Sequence, residues 1–303
     1  MRLTACLAVL VLAAPVAVAA DNLEEKYQGL QDAVASRNAA QVKLLAADLF
    51  TMVDQAICEP APENADEKPA WGSHIEHAKG IGLYAEYALS AVALEAPAET
   101  LVDLVSTLEA RNPKSKYLDS AYGPYLLALT RTGSAAKVPA TAEKALANFP
   151  ENEDLLLLLA DNAITRKQPD RALALANRLV AALLKHPKPE GVNAAQWEQK
   201  HHTSLGRGYW IAGVIYGDKG QSGPADKNLR AALPLIQGND AMLGPAYFYL
   251  GMANYQLGKM TLNKAKVLEA VKFSQQSAAI NSAYAEQARH NALVMKSEAD
   301  HMR

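Results

Sequence analysis

Leu156-x-x-Leu159-Ala160-x-x-Ala163 repeats, 34 residues later, the pattern of Tyr122-x-x-Tyr125-Leu126-x-x-Leu129. The same offset of 34 carries Gly133 onto Lys167 and Ala145 onto Leu179. Within each stretch the apolar positions recur at three and four, which places them on one face of an α-helix. Two such faces, separated by a breaker, fit into one period. A period of this size marks a chain built by stacking one supersecondary unit on the next. A single unit cannot bury its apolar face alone, so each depends on its neighbours.

The same spacing extends in both directions. Val and Ile form no alternating runs, so no strand is expected, and the fold class is all-α. Helices are expected near 23–36, 39–57, 73–94, 98–111, 115–131, 135–148, 152–166, 169–185, 193–217, 222–236, 240–258, 261–281 and 283–301. Asn112-Pro113, Phe149-Pro150 and His186-Pro187 punctuate them, because the residue before a proline is pushed out of the helical region. The longest irregular segment, 59–72, holds Pro60, Pro62, Pro69 and Trp71. Such a loop is either a binding element or a solvated connector with Trp71 laid on the next helix.

Two later stretches carry more of the pattern. Tyr209-x-x-Ala212-Gly213-x-x-Tyr216 is followed by Gly220, Ala225, Leu229 and Ala232, and Tyr247-x-x-Leu250-Gly251 is followed by Gly258. Position by position these resemble the tetratricopeptide repeat, and Glu143-Lys144-Ala145-Leu146-Ala147-Asn148-Phe149-Pro150 resembles the end of its second helix. The resemblance covers residues 117–282. It departs at Asn254, where Tyr is usual, and at about seven extra residues before Ala270. It implies a right-handed superhelical solenoid of about six antiparallel helix pairs, with degenerate pairs over 21–116 and a capping helix over 283–303. Glu286, Arg289, Lys296, Glu298 and Asp300 give that last helix a solvated face. The resemblance also implies a binding face. In such arrays the first helix of each pair lines a concave groove, with its partner-facing residues between the signature positions. Here these are Arg131, Asp161, Trp210, Asp218, Phe248, Tyr249, Met252 and Tyr255. Aromatic residues and Met suit adaptable recognition of apolar side chains.

Composition narrows the partners. Of 303 residues, 50% are hydrophobic and 20% charged, and Lys+Arg at 30 nearly balances Asp+Glu at 32. That balance offers no basic footprint for nucleic acid. Residues 1–20 carry one charge, Arg2, before an apolar run ending in Ala17-Val18-Ala19-Ala20. This is the pattern of an export signal cut between Ala19 and Asp21, the alternative being an uncleaved anchor. Export places the mature chain in the periplasm or outside the cell. Cys58 is then its only cysteine, either a buried small hydrophobe or an exposed thiol open to intermolecular pairing.

Catalytic and metal constellations are weak. Gly80-Ile81-Gly82-Leu83-Tyr84-Ala85 imitates a dinucleotide fingerprint but lacks the preceding strand, so helix-packing glycines are expected. His74 and His77 share a helix face without a third and fourth ligand, and no tightly held metal is expected. No cofactor and no reaction are expected either. The chain reads as an exported adaptor that binds a protein or peptide partner in its groove, without a membrane segment once the signal is removed. The other reading is a periplasmic binding module, attached to a transporter, that takes a small ligand. Because Trp210 and Tyr249 lie off the signature positions, their replacement by Ala is expected to abolish capture and to spare the fold.

Overall fold

A computed structural model describes residues 14–188 and 192–302, with side chains from Asn22 onward. The cleavage site and most of the leader expected over 1–20 therefore lie outside the described side chains. Thirteen α-helices and no strand are found among the described residues. They are α1 (Ala14–Ala35), α2 (Ala39–Ile57), α3 (Lys68–Glu95), α4 (Ala98–Arg111), α5 (Lys116–Arg131), α6 (Val138–Asn148) and α7 (Glu153–Thr165). There follow α8 (Pro169–Lys185), α9 (Ala194–Asp218), α10 (Ser222–Ala232), α11 (Asp240–Met260), α12 (Lys264–Ala279) and α13 (Ala285–His301).

Proline chemistry explains where the helices depart from expectation. α3 begins at Lys68, several residues early, because Pro69 falls in its first turn, where a missing N–H costs nothing. The irregular segment shortens accordingly, and Trp71 sits half-buried on α3 with its buried indole Nε1 unpartnered. Pro139 and Pro234 lie where short 3-10 turns, Ala135–Lys137 and Leu233–Leu235, adjoin α6 and α10.

Five inter-helix turns share one construction. After α1, α5, α7, α9 and α11 the chain passes through a left-handed residue: Arg37 (φ 54°), Gly133 (79°), Lys167 (55°), Gly220 (68°) and Leu262 (52°). At each, the left-handed residue's N–H returns to the carbonyl three residues back, and the next N–H reaches back five. Gly133 N donates to Thr130 O at 3.3 Å and Ser134 N to Leu129 O at 2.8 Å. The pattern repeats at Lys167/Gln168, Gly220/Gln221, Arg37/Asn38 and Leu262/Asn263. This double closure satisfies the last carbonyls of the helix and points the chain directly into the next one. Glycine adopts the conformation without strain at Gly133 and Gly220.

The chain divides into two compact units between Val138 and Pro139. In the first, each of α1 to α4 packs on its successor, and α3 also packs on both α1 and α5. Leu30, Leu49, Ile81, Leu89, Leu104, Leu108, Leu118, Tyr122 and Leu126 are fully buried there. In the second unit α7, α9, α11 and α13 likewise touch in sequence, with α8, α10 and α12 each packed between two of them. Small residues set those approaches: a Cβ on Gly213 would stand 2.5 Å from the Leu229 side chain, and one on Gly251 2.5 Å from Ser274.

These contacts locate the extra residues of the last hairpin. Gly251 is the counterpart of Gly213, and Ser274 that of Leu229. Seven residues separate Gly213 from the turn at Gly220, but eleven separate Gly251 from the turn at Leu262. On the returning side nine residues become twelve, so α11 gains four and α12 three, about one turn each. Gly258, seven residues after Gly251 as Gly220 is after Gly213, lies inside α11, where a Cβ would stand 2.7 Å from Val267.

Several ion pairs tie even-numbered helices together. Arg111 on α4 grips Asp54 on α2 at 2.5 and 2.7 Å, and Arg230 on α10 holds Glu269 on α12 at 2.8 Å. The arginine hydrogen bond is the main reason each carboxyl lies below its ordinary value of 3.8 or 4.5. A lowered folded pKa means the contribution is whole above the unfolded value and disappears as pH falls through the folded one. Melting temperature should therefore decline below about pH 4.5, and Arg230→Met should flatten part of that decline. An acid limb identical in the variant and the parent would remove Glu269 from the account.

Candidate functional site

In the second unit most of the residues expected to face a partner hold helices together. Asp161 on α7 accepts from Arg207 Nε and Nη2 on α9 at 2.9 and 2.7 Å. The same guanidinium lies 4.6 Å from the ring centre of Trp210. Trp210 packs against the buried cluster of Leu229, Ala232, Ile236, Leu243, Ala246 and Leu250, and its Nε1 donates to Met242 O on α11 at 2.7 Å. Tyr249 lays its ring over Gly217, where a Cβ would come within 2.6 Å, and its hydroxyl donates to Asp218 at 3.3 Å. Burial, with Tyr284 beside it, pushes the Tyr249 phenol well above its usual range. Phe248 is only 7% exposed and packs on Tyr284, ring centres 4.9 Å apart.

Toward α13 the seam continues. Met252 packs on Val271 and Met295 and accepts from Asn291 Nδ2 at 3.3 Å. Tyr255 donates to Glu298 at 2.6 Å and accepts from Lys259 at 3.2 Å. Burial, then that carboxylate, raises the Tyr255 phenol. Arg131 belongs to the first unit, exposed in the last turn of α5. Seven of the eight residues thus form one line of contacts between successive first helices, α7 to α9 to α11 to α13. Trp210 and Tyr249, expected to be dispensable to the fold, have their rings and polar tips engaged within the unit.

The first unit holds an aromatic row that the repeat pattern did not disclose. Tyr27 on α1, Tyr84 and Tyr87 on α3, and Tyr117 on α5 form a ladder. Its successive ring centres lie 5.2, 5.6 and 5.6 Å apart, with rings inclined at 89°, 51° and 61°. The rows of first helices create it: α3 touches both α1 and α5, and Tyr84 and Tyr87, three apart, share one face of α3. Tyr87 is 42% exposed, and the other three are half-buried. Burial, followed by the neighbouring phenols of Tyr27 and Tyr87, raises the Tyr84 phenol, so its hydroxyl is a protonated donor at neutral pH.

The two aromatic sets differ in how their polar tips are used. Trp210, Tyr249 and Tyr255 each donate to a partner on a neighbouring element. None of the four ladder hydroxyls has a hydrogen-bond partner among the described residues, yet none is sealed from solvent. Among the described residues, the charge set over the row is Lys116 Nζ, 5.1 Å from the Tyr117 ring centre. A row of flat apolar surfaces edged by open donors can bind; a row with every donor satisfied mainly packs.

The remaining candidates take ordinary places. His77 pairs with Glu24 across α1 and α3 at 3.1 Å. Gly80 and Gly82 lie inside α3, with Gly82 against Val53. Cys58 caps the C-terminus of α2 and is exposed, which decides between the two readings of its thiol. No helix among the described residues is long and apolar enough to cross a membrane. No protein-family model matches the chain, and no curated protein is significantly similar to it.

Proposed function

We propose that this chain is an exported scaffold of tetratricopeptide type that holds a peptide segment of a protein partner and carries out no reaction. In this reading about six antiparallel helix pairs stack as a right-handed superhelix, α13 closes the array, and the leader over 1–20 is removed on export. The five turns of one construction, and the first helices touching in series, support the repeat. The observation that carries the function is the tyrosine ladder on α1, α3 and α5, with exposed ring surface and four unengaged hydroxyls. Aromatic side chains that present both an apolar face and a donor are the usual anchors of peptide recognition. Surface depressions elsewhere, such as the 640 Å³ trough between α7 and α9 lined by Asp154, Leu157, Ala195, Gln196 and Lys200, are open to solvent. They favour the small-ligand alternative less, since ligand pockets enclose most of what they bind.

Tyr87→Ala is the direct test, because the side chain is 42% exposed and its loss leaves the core intact. Truncating such an anchor costs about 2 kcal/mol of binding, roughly 30-fold in affinity. The expected result is loss of partner capture from an envelope fraction with the melting temperature nearly unchanged. Undiminished capture by the folded variant would move the site elsewhere, first to the exposed Pro60–Pro62 connector.

A further inference from the structure

We propose that the tip of the α11–α12 hairpin is a membrane-contact element, which dips Met260 and Leu262 into the interface of a bilayer containing anionic phospholipid. Exposure is the first reason. Met260 is 79% and Leu262 82% exposed, more than any other large apolar side chain among the described residues. Backbone strain is the second. At the other four turns of this construction the left-handed position holds Gly133, Gly220, Arg37 or Lys167. Those residues either lack a Cβ or carry a charged tip that belongs in water. Leu262 takes the position at φ 52° with its side chain in solvent, so it is strained and unburied at once. Nothing inside the protein offsets either cost, and an apolar surface outside it would offset the second.

Shape and charge identify that surface. The four residues gained by α11 carry its turn about 6 Å further from the helix crossing than the Gly220 turn stands from its own. Apolar groups at a bilayer interface reach a similar depth, about 5–10 Å. Leu262 borders one shallow depression with Met302 and Lys259, so the last residues of α13 flank the tip. Between Asp240 and Glu269 the chain has no carboxylate and three lysines, Lys259, Lys264 and Lys266, all within four residues of Leu262. On α13, Glu298 is answered by Lys259 at 3.1 Å and Asp300 by Lys296. Lys264 hydrogen-bonds the Met302 carbonyl, and neither it nor Lys266 has an ion pair among the described residues. A neutral apolar partner would leave these ammonium groups unanswered at its rim. Lipid phosphates answer them at the level where Met260 and Leu262 would meet acyl chains. The tip belongs to the second unit and uses none of the ladder residues.

Co-sedimentation of the mature chain with two kinds of vesicle tests this, one of phosphatidylcholine alone and one of phosphatidylcholine mixed equally with phosphatidylglycerol. The chain should pellet with the mixed vesicles and stay in solution with the neutral ones. Salt at about 1 M, where the screening length falls to ~3 Å, should release it. Met260→Ser/Leu262→Gly should weaken pelleting at least tenfold and melt within about 2 °C of the parent, since neither side chain is packed and glycine relieves the left-handed turn. Lys266→Gln should weaken pelleting about fivefold, the effect of one lysine near an anionic surface. No pelleting of the parent, equal pelleting with neutral vesicles, or undiminished pelleting of the Ser/Gly variant would each overturn the assignment. Vesicle binding absent, with protein capture from the envelope fraction lost in that variant, would give the tip to a protein partner instead. Capture that responds to Tyr87→Ala and not to the tip variant keeps the ladder whatever the vesicles show.

Discussion

Replacing Trp210 and Tyr249 together with Ala is expected to lower the melting temperature of the second unit by roughly 10 °C. Trp210 fills the junction of α9 and α11 and anchors there through its bond to Met242 O. Truncating a well-packed aromatic costs about 3 kcal/mol or more. Tyr249 covers Gly217 and gives Asp218 a donor, so its loss uncovers apolar backbone as well. At 2–4 °C per kcal/mol for a body of about 150 residues, the pair yields the stated fall. Trp210→Phe separates the contributions, because it restores most of the ring and not the indole donor; it should recover about half of the loss. A double variant melting within 2 °C of the parent would return these residues to the partner-facing role the repeat pattern implies. The same variant should leave binding at the tyrosine ladder unchanged, because the ladder is built wholly from α1, α3 and α5.

The difference between those two aromatic sets shows how far the residues could be read unaided. Trp210, Tyr249 and Tyr255 stand where the spacing most resembles the tetratricopeptide pattern, so their offset from its signature positions could be counted. What counting misses is the neighbouring pair: the Met242 carbonyl, Asp218 and Glu298 come from elements 32, 31 and 43 residues away. The ladder had the opposite problem. Tyr27, Tyr84, Tyr87 and Tyr117 are set at no common period, and only Tyr84 and Tyr87 are near enough in sequence to be placed on one face. Their alignment follows from α3 packing between α1 and α5, in the part of the chain where the repeat signature is weakest.

The helices themselves were legible because three-and-four spacing and proline stops are local properties. Boundaries moved where a proline could serve a helix as well as end one, as Pro69 does in the first turn of α3. The turns were half legible. Gly133 and Gly220 advertise the left-handed conformation, but Arg37, Lys167 and Leu262 adopt it without any such sign. In the last hairpin the glycine at the position equivalent to Gly220, Gly258, packs inside α11 and the turn falls at Leu262. Leu262 holds the turn at a strain of about 1 kcal/mol.

Asn254→Tyr, which restores the residue usual at its repeat position, is expected to destabilise the second unit by about 3 kcal/mol. Tyr216, 38 residues earlier, is its counterpart, and the Tyr216 hydroxyl reaches an exposed edge, where Asn177 donates to it at 3.3 Å. Asn254 has no such outlet, being fully buried. Its Nδ2 donates to Asp226 at 2.6 Å and to Leu250 O at 3.0 Å, and its Oδ1 accepts from Arg230 at 3.1 Å. Arg230 in turn binds Asp226 at 2.8 Å and Glu269, and stacks 5.3 Å from the centre of Phe273. One amide therefore joins α10, α11 and α12 through groups that are costly to leave unpaired. A tyrosine would overpack the site, at about 1–3 kcal/mol, and would strand the buried edge of Asp226, at a similar cost. Asn254→Leu, close in volume, isolates the second contribution and should cost about 2 kcal/mol. Chemical denaturation of both variants gives the comparison. A Tyr variant as stable as the parent would mean that the Arg230 network is incidental and that the general repeat pattern governs this position. The expected loss would mean that the longer last hairpin, with its altered neighbours, has settled on a polar junction in place of the aromatic one.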